Sequence, residues 1–282
     1  MPHFSAPDGT SLYFTDTGPI DTGRTDNATD TPLLCLAGLT RNGSDFSYLA
    51  PHLPDTRLIT LDYRGRGQSQ WADWQTYTIP TEAQDALALL DYLELEKTAI
   101  IGTSRGGLIA MILAATAKHR LAGIALNDVG PELSQVGLDA IQGYLGRNPT
   151  AKTREQAAAL LHSRMTGFAN VPDSRWAEEA AKHYVETASG LTINYDPALA
   201  QAFKAASDQP PVDMWPLFDA MADLPLALIR GENSDLLTAE TAQKMQDRRP
   251  DMIMATVPDR GHIPFLDEPQ AVNALHRWIT RL

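Results

Sequence analysis

One pentapeptide, Gly-Thr-Ser-Arg-Gly at residues 102–106, constrains the fold of this 282-residue chain more than any other feature. An apolar run at residues 98–101 precedes it, and a helical apolar pattern at residues 108–115 follows it. In the order strand, turn, helix, the pattern G-x-S-x-G is typical of a nucleophilic serine carried on a sharp turn. Glycine is needed at both ends because side chains there would collide across the turn. The sequence therefore predicts a reactive hydroxyl on Ser104 at the edge of a sheet.

Apolar strand patterns and helical patterns alternate along most of the chain. Strand patterns lie at residues 11–16, 33–36, 57–61, 98–101, 121–127, 226–230 and 252–257, and a polar loop is predicted at residues 21–30. Such an alternation predicts an α/β fold, with a parallel sheet covered by helices on both faces. The part from 132 to 211 shows only helical patterns, at residues 138–145, 153–165, 174–187 and 198–206. We therefore predict a core formed by residues 1–131 and 212–282, with a helical cap at residues 132–211.

Composition excludes several classes of protein. The net charge is -12, and no basic stripe is present, which argues against a nucleic-acid partner. No run approaches 18 apolar residues, so no membrane span is predicted. The single cysteine, Cys35, excludes an internal disulfide and is compatible with a reducing compartment. We predict a soluble cytoplasmic protein without a metal site, and the sequence gives no indication of its oligomeric state.

A serine nucleophile needs a base and an acid, and both have candidates in loops that follow predicted strands. His262 comes directly after the last strand pattern and is the predicted base. Asp235 follows the strand pattern before it, and the order Ser104, Asp235, His262 matches a known triad order. Asp235 is therefore the predicted acid. Glu232 and Asp128 remain as rival acids, because each also follows a strand.

Two backbone N–H groups are predicted to bind the oxyanion that forms during acyl transfer. One belongs to Arg105, at the positive start of the helix after the serine. The second is assigned to Leu39, because the loop after residues 33–36 contains Gly38, where the backbone can approach closely.

Five motifs together resemble one family. They are Gly38-Leu39, Asp62-x-Arg64-Gly65-x-Gly67-x-Ser69, the pentapeptide around Ser104, Gly231-x-x-x-Asp235 and Gly261-His262. With these motifs the whole chain resembles α/β-hydrolase fold proteins of the serine esterase, enol-lactonase and carbon–carbon hydrolase type. The resemblance implies an eight-stranded, mostly parallel sheet, a helical cap, and no cofactor. The chain departs from the family at Ala37, where a histidine is usual.

The function that the resemblance implies is hydrolysis of a small-molecule carboxylic ester through an acyl-enzyme on Ser104. One alternative is cleavage of a lactone or of a carbon–carbon bond in keto-acid ring-cleavage products, since those enzymes use the same triad. Another, from a different class, is a small-molecule receptor that kept the fold, with hydrolysis slow or absent.

Charged and aromatic residues near the predicted site allow two interpretations. Arg41 and Arg105 either bind a carboxylate of the substrate or pair with nearby carboxylates and hold loops, and the second is favoured. Trp71, Trp74 and Trp215 are predicted to line the substrate pocket, with packing beneath the cap as the alternative.

Overall fold

The computed structural model describes residues 2–18 and 30–282, which contain ten strands and nine α-helices. The strands are β1 (His3–Ser5), β2 (Ser11–Asp16), β3 (Leu33–Leu36), β4 (Leu58–Leu61), β5 (Thr98–Thr103), β6 (Leu121–Asn127), β7 (Tyr184–Thr187), β8 (Gly190–Ile193), β9 (Leu226–Gly231) and β10 (Ile253–Val257). The helices are α1 (Ile79–Tyr92), α2 (Arg105–Thr116), α3 (Gln135–Tyr144), α4 (Arg154–Arg164), α5 (Asp173–His183), α6 (Leu199–Ser207), α7 (Trp215–Asp219), α8 (Ala239–Arg248) and α9 (Pro269–Ile279). Short 3-10 helices lie at Gly43–Ser47, Ala50–His52, Trp74–Thr76 and Lys118–Arg120. Apart from Asp30, the predicted loop at residues 21–30 lies outside the described residues.

Within the described residues, eight strands form one sheet in the order β1-β2-β4-β3-β5-β6-β9-β10. β1 and β2 run antiparallel to their neighbours, and the other six strands are parallel. The predicted α/β fold with a mostly parallel sheet is therefore confirmed. Since the carboxyl ends of β3, β5, β6, β9 and β10 share one edge, the loops that follow them converge there.

Alternate residues of the central strands face opposite helical layers. In β5, Ile100 packs into the cluster that contains α1, α2, α7 and α8, whereas Ile101 packs into the cluster that contains α9. Strands covered on both faces are apolar at every position, which explains their unbroken sequence patterns. Burying one such isoleucine contributes roughly 1.5–3 kcal/mol. Across the parts of the chain that the structure describes, no helix combines the length and apolarity needed to cross a membrane.

The chain between β6 and β9 carries α3 to α7 and the strands β7 and β8. We call its residues 132–211, which contain α3 to α6, the insertion. The prediction of a helix over residues 174–187 is wrong at its end, because α5 stops at His183. The next residues form the antiparallel hairpin of β7 and β8. β-branched side chains at Val185 and Thr187 favour the strand, and Gly190 turns the chain with a φ of 116°.

Candidate active site

Ser104 stands at the carboxyl end of β5, where the chain turns sharply into α2. Its backbone has φ 50° and ψ −113°, a sparsely populated conformation that costs roughly 1–3 kcal/mol. A Cβ at Gly102 would lie 2.6 Å from the carbonyl oxygen of Gly106, and one at Gly106 would lie 2.1 Å from the carbonyl oxygen of Leu36. The two glycines therefore make the turn possible, as the sequence predicts.

His262 lies in the loop after β10 and contacts Ser104. Its Nε2 is 3.0 Å from Ser104 Oγ, and its Nδ1 is 2.7 Å from Asp128 Oδ2. Because a carboxylate accepts hydrogen bonds and does not donate them, Nδ1 carries the proton. Nε2 is then left to accept the hydrogen bond that the Ser104 hydroxyl donates. The imidazole is in the correct tautomer to act as a base toward the serine.

The acid that contacts His262 is Asp128, so the prediction that Asp235 occupies this place is wrong. Asp128 follows β6, which is the neighbour of β5 in the sheet. Its carboxylate is fully buried and also accepts hydrogen bonds from the backbone N–H of Gly231 at 2.8 Å and the hydroxyl of Ser234 at 2.6 Å. Three donors thus fix the carboxylate against the imidazole.

The loop after β9 turns its first residues inward to Asp128, and this explains the position of Asp235. Because Gly231 and Ser234 donate to Asp128, Asp235 follows this contact in the chain and does not contact His262. Asp235 is exposed and lines the cavity beside Ser104. Glu232, the other rival acid, is exposed and lies 3.4 Å from the backbone N–H of Asp259. The signal that identifies Asp128 was present in the sequence, at the end of the strand next to the serine.

The two predicted oxyanion donors have no acceptor in the described part of the protein. Neither the N–H of Leu39 nor that of Arg105 donates a hydrogen bond to a described residue. Ala37 holds the turn before Leu39 in place, because its carbonyl oxygen accepts from Gly106 N–H at 3.1 Å and from the Tyr63 hydroxyl at 3.0 Å. A Cβ at Gly38 would lie 3.8 Å from Ser104 Cβ, so this turn lies against the serine. The assignment of both donors stays a prediction.

A cavity of about 370 Å³ opens beside Ser104 and His262. This volume is within the range of small-molecule sites. The insertion contributes much of its wall, including Tyr144, Arg164 and Tyr184, and the loop after β3 contributes Arg41. Within the described ranges, no cluster of three or more histidine, cysteine, aspartate or glutamate side chains is arranged to hold a metal ion.

The prediction that three tryptophans line this cavity is wrong. Trp71 is 57% exposed and lies outside it. Trp74 packs into a cluster with Tyr77 and the insertion. The Trp215 ring donates a hydrogen bond to Glu132 at 2.8 Å and lies apart from the cavity. The aromatic part of the wall is instead formed by residues of both the insertion and the core: Tyr144, Phe168, Tyr184, Tyr195, Phe46, Tyr48 and Phe265.

Both arginines near the serine pair with carboxylates. Arg105 Nε lies 2.5 Å from Glu82, so its side chain points away from the cavity. Arg41 binds Asp45 through Nε at 2.8 Å and Nη2 at 2.6 Å, and the same Nη2 lies 2.8 Å from Glu179 on α5. The interpretation that these arginines pair with nearby carboxylates and hold loops therefore describes both.

The charged turn after β4 serves as a scaffold. Asp62 accepts hydrogen bonds from the backbone N–H groups of Gly43 and Gln68, at 2.8 and 2.9 Å. Arg64 is buried and binds Asp85 of α1 through two hydrogen bonds, at 2.8 and 2.7 Å. The motif therefore positions the loops around the serine rather than supplying a reacting group.

Comparisons with known proteins agree with this architecture. A family model described as alpha/beta hydrolase fold matches residues 31–269. A 3-hydroxybutyrate-oligomer hydrolase from Cupriavidus necator is 35% identical over 265 residues, with 90% of each chain covered. A putative 2-succinyl-6-hydroxy-2,4-cyclohexadiene-1-carboxylate synthase from Bacillus subtilis is 25% identical over 277 residues, covering 95% of this chain and 94% of that one. The crystal structure of an alpha/beta hydrolase from Novosphingobium aromaticivorans has 40% identity and a TM-score of 0.90, covering 100% of this chain and 98% of that one.

Proposed function

Because the chain belongs to the α/β-hydrolase fold family, we propose that it is a serine hydrolase that cleaves a carboxylic ester of a small molecule through an acyl-enzyme on Ser104. One observation carries the proposal, the continuous hydrogen-bonded line of Ser104, His262 and Asp128 at distances of 3.0 and 2.7 Å. A hydroxyl, an imidazole and a buried carboxylate in this order are the groups that acyl transfer needs.

In the first step, Ser104 Oγ attacks the ester carbonyl while His262 Nε2 takes the hydroxyl proton. Asp128 stabilises the imidazolium that forms and keeps the ring oriented. The N–H groups of Leu39 and Arg105 bind the negative charge that develops on the carbonyl oxygen. Losing one such donor typically lowers kcat by about 10²–10³-fold.

In the second step, the imidazolium gives its proton to the leaving alcohol, and the acyl group stays on Ser104. His262 then takes a proton from a water molecule, which attacks the acyl-enzyme and releases the acid. The proton returns to Ser104 Oγ, so the resting enzyme is restored. Every step uses groups of the chain and water.

The relative from Cupriavidus necator suggests which esters to test first. Its name states that it hydrolyses 3-hydroxybutyrate oligomers, which are esters of a short hydroxy acid. We propose oligoesters of short hydroxy acids as the first substrate class for this chain. The cavity of about 370 Å³ supports a substrate of this size rather than a long acyl chain.

We also propose that residues 132–211 act as a cap over the site. Contacts of α5 with the core support this role. Glu179 binds Arg41 at 2.8 Å and accepts from the Tyr48 hydroxyl at 2.9 Å, and Arg175 pairs with Asp267. These contacts hold the insertion against the loops around Ser104.

A fluorophosphonate probe tests the proposal directly, because it reacts with activated serines. We expect labelling of the wild type and none of Ser104→Ala. A panel of p-nitrophenyl esters, lactones and 3-hydroxybutyrate dimers then measures kcat/KM. A purified, folded wild type that is neither labelled nor active on any member of the panel would favour the receptor alternative and refute the proposed function.

A further inference from the structure

Two arginines of the insertion line the cavity without a counter-ion. Arg147 and Arg164 make no ion pair or side-chain hydrogen bond with any residue of the described ranges, although the chain has a net charge of -12. By contrast, Arg154, at the other end of α4, lies 3.5 Å from Glu186 and outside the cavity. The cavity wall thus contains positive charge that the protein does not neutralise.

A third guanidinium contributes an unused donor. Arg41 uses Nε and Nη2 for Asp45 and Glu179, but its Nη1 is buried and has no hydrogen-bond partner in the part of the chain that the structure describes. A buried donor without an acceptor is unfavourable, since its lost hydration is not replaced. An acceptor from a bound molecule would satisfy it.

Tyr184 lines the same cavity as Arg164 and Arg41. It is the first residue of β7, it lines the cavity, and its hydroxyl has no hydrogen-bond partner among the described residues. Burial raises the pKa of Tyr184, whereas the positive charges of Arg164 and Arg41 act in the opposite direction. On one side, Leu161, three residues before Arg164 on α4, packs in the same cluster as Tyr184. On the other, Glu179 binds Arg41 at 2.8 Å and lies 3.4 Å from the ring of His183, the residue before Tyr184. The Tyr184 hydroxyl and the two guanidinium groups therefore present donors to one region of the cavity.

Three carboxylates also line the cavity, and two of them pair with Arg41. Asp45 and Glu179 both bind Arg41, so this guanidinium offers its free N–H to a ligand and no net positive charge. The third, Asp235, forms no ion pair with Arg164. Arg164 therefore supplies an uncompensated positive charge beside Tyr184.

From these contacts we propose that Arg164, Tyr184 and Arg41 Nη1 form a subsite for a carboxylate of the substrate, so that the enzyme prefers esters with a free acid group. This inference rests on the proposed ester hydrolysis. Carboxylate oxygens accept several hydrogen bonds, and a guanidinium binds them through two parallel N–H groups. The ester carbonyl then lies at Ser104 while the acid group anchors the other end.

The test compares matched pairs of substrates. Mono-p-nitrophenyl esters of succinate, glutarate and adipate carry a free carboxylate, and their methyl esters do not. We expect Arg164→Gln to lower kcat/KM for the preferred acid ester at least about 10-fold relative to its methyl ester, mainly through KM. Tyr184→Phe should lower the same ratio by a smaller factor. Arg154→Gln removes a charge from the same helix outside the cavity and should leave the ratio unchanged.

The subsite is refuted if Arg164→Gln changes both members of every pair equally, or if Arg154→Gln has the same effect. Thermal unfolding of each variant controls for loss of folding. If the wild type hydrolyses no ester, the proposed function fails. The subsite is then tested by ligand binding alone. Titration of the Ser104→Ala variant with monomethyl glutarate should then show binding that weakens about 10-fold on adding Arg164→Gln, with dimethyl glutarate unaffected. Equal binding of both compounds would overturn the inference.

Discussion

Replacing Asp128 by asparagine tests the proposed roles of Ser104, His262 and Asp128 in the most direct way. Asp128 Oδ1 accepts from the N–H of Gly231 at 2.8 Å. Its Oδ2 accepts from the Ser234 hydroxyl at 2.6 Å and faces His262 Nδ1 at 2.7 Å. An amide has only one oxygen, and the N–H of Gly231 can only donate. The amide oxygen must therefore take the Oδ1 position, and the NH₂ group must face Ser234 and the imidazole.

This orientation predicts the wrong tautomer of His262. The NH₂ group donates to Nδ1, so the ring proton moves to Nε2, which then cannot accept the proton of Ser104. The Ser234 hydroxyl loses its acceptor, and its oxygen cannot readily accept from the NH₂ group because it already accepts from the N–H groups of Leu236 and Leu237. Stability should therefore fall by about 1–3 kcal/mol. Activity should fall far more, by about 10⁴-fold in kcat, the scale known for this substitution in Ser-His-Asp proteases.

The matched control is Asp235→Asn, which removes the same charge from an exposed residue of the same site. We expect it to change kcat on p-nitrophenyl acetate by less than about 10-fold, because Asp235 does not contact His262. The assay compares both variants with the wild type by kcat and by the rate of fluorophosphonate labelling, with circular dichroism as the folding control. If Asp128→Asn keeps its activity and Asp235→Asn loses it, the assignment of the acid is wrong.

Two further predictions concern buried charges. Glu82 is fully buried between Arg66 at 2.8 Å and Arg105 at 2.5 Å, so Glu82→Gln should lower the free energy of unfolding by about 3–5 kcal/mol in urea titrations. The exposed control Glu96→Gln should cost less than about 1 kcal/mol, and equal losses would contradict the reasoning. Burial, with a smaller effect from Arg41, lowers the pKa of His183 to about 3 from 6.5. The unfolded chain then binds the proton more tightly, so stability falls as the pH is lowered from 6.5 towards 3. His183→Gln should reduce this loss of stability at low pH. If the free energy of unfolding depends on pH in the same way in the variant and the wild type, the role assigned to His183 is wrong.

Local patterns in the sequence were sufficient for the fold and for two of the three residues that the structure brings together beside the cavity, Ser104 and His262. Strand patterns such as residues 33–36 match β3 because a strand covered on both faces must be apolar at every position. Ser104 is recognisable because the strained turn requires glycine at fixed places on both sides of it. His262 is recognisable from its position directly after the last strand. These features depend on neighbours in the chain.

Only the tertiary structure decided the acid and the walls of the cavity. Asp128 and Asp235 both follow strands, and the choice between them depends on how the loop after β9 folds back onto β6, 103 residues away. Trp71, Trp74 and Trp215 lie outside the cavity, whereas Tyr144, Tyr184 and Tyr195 line it, because the insertion contributes part of the wall beside Ser104. Contacts between distant segments are set by packing and charge pairing in three dimensions, and no local periodicity encodes them.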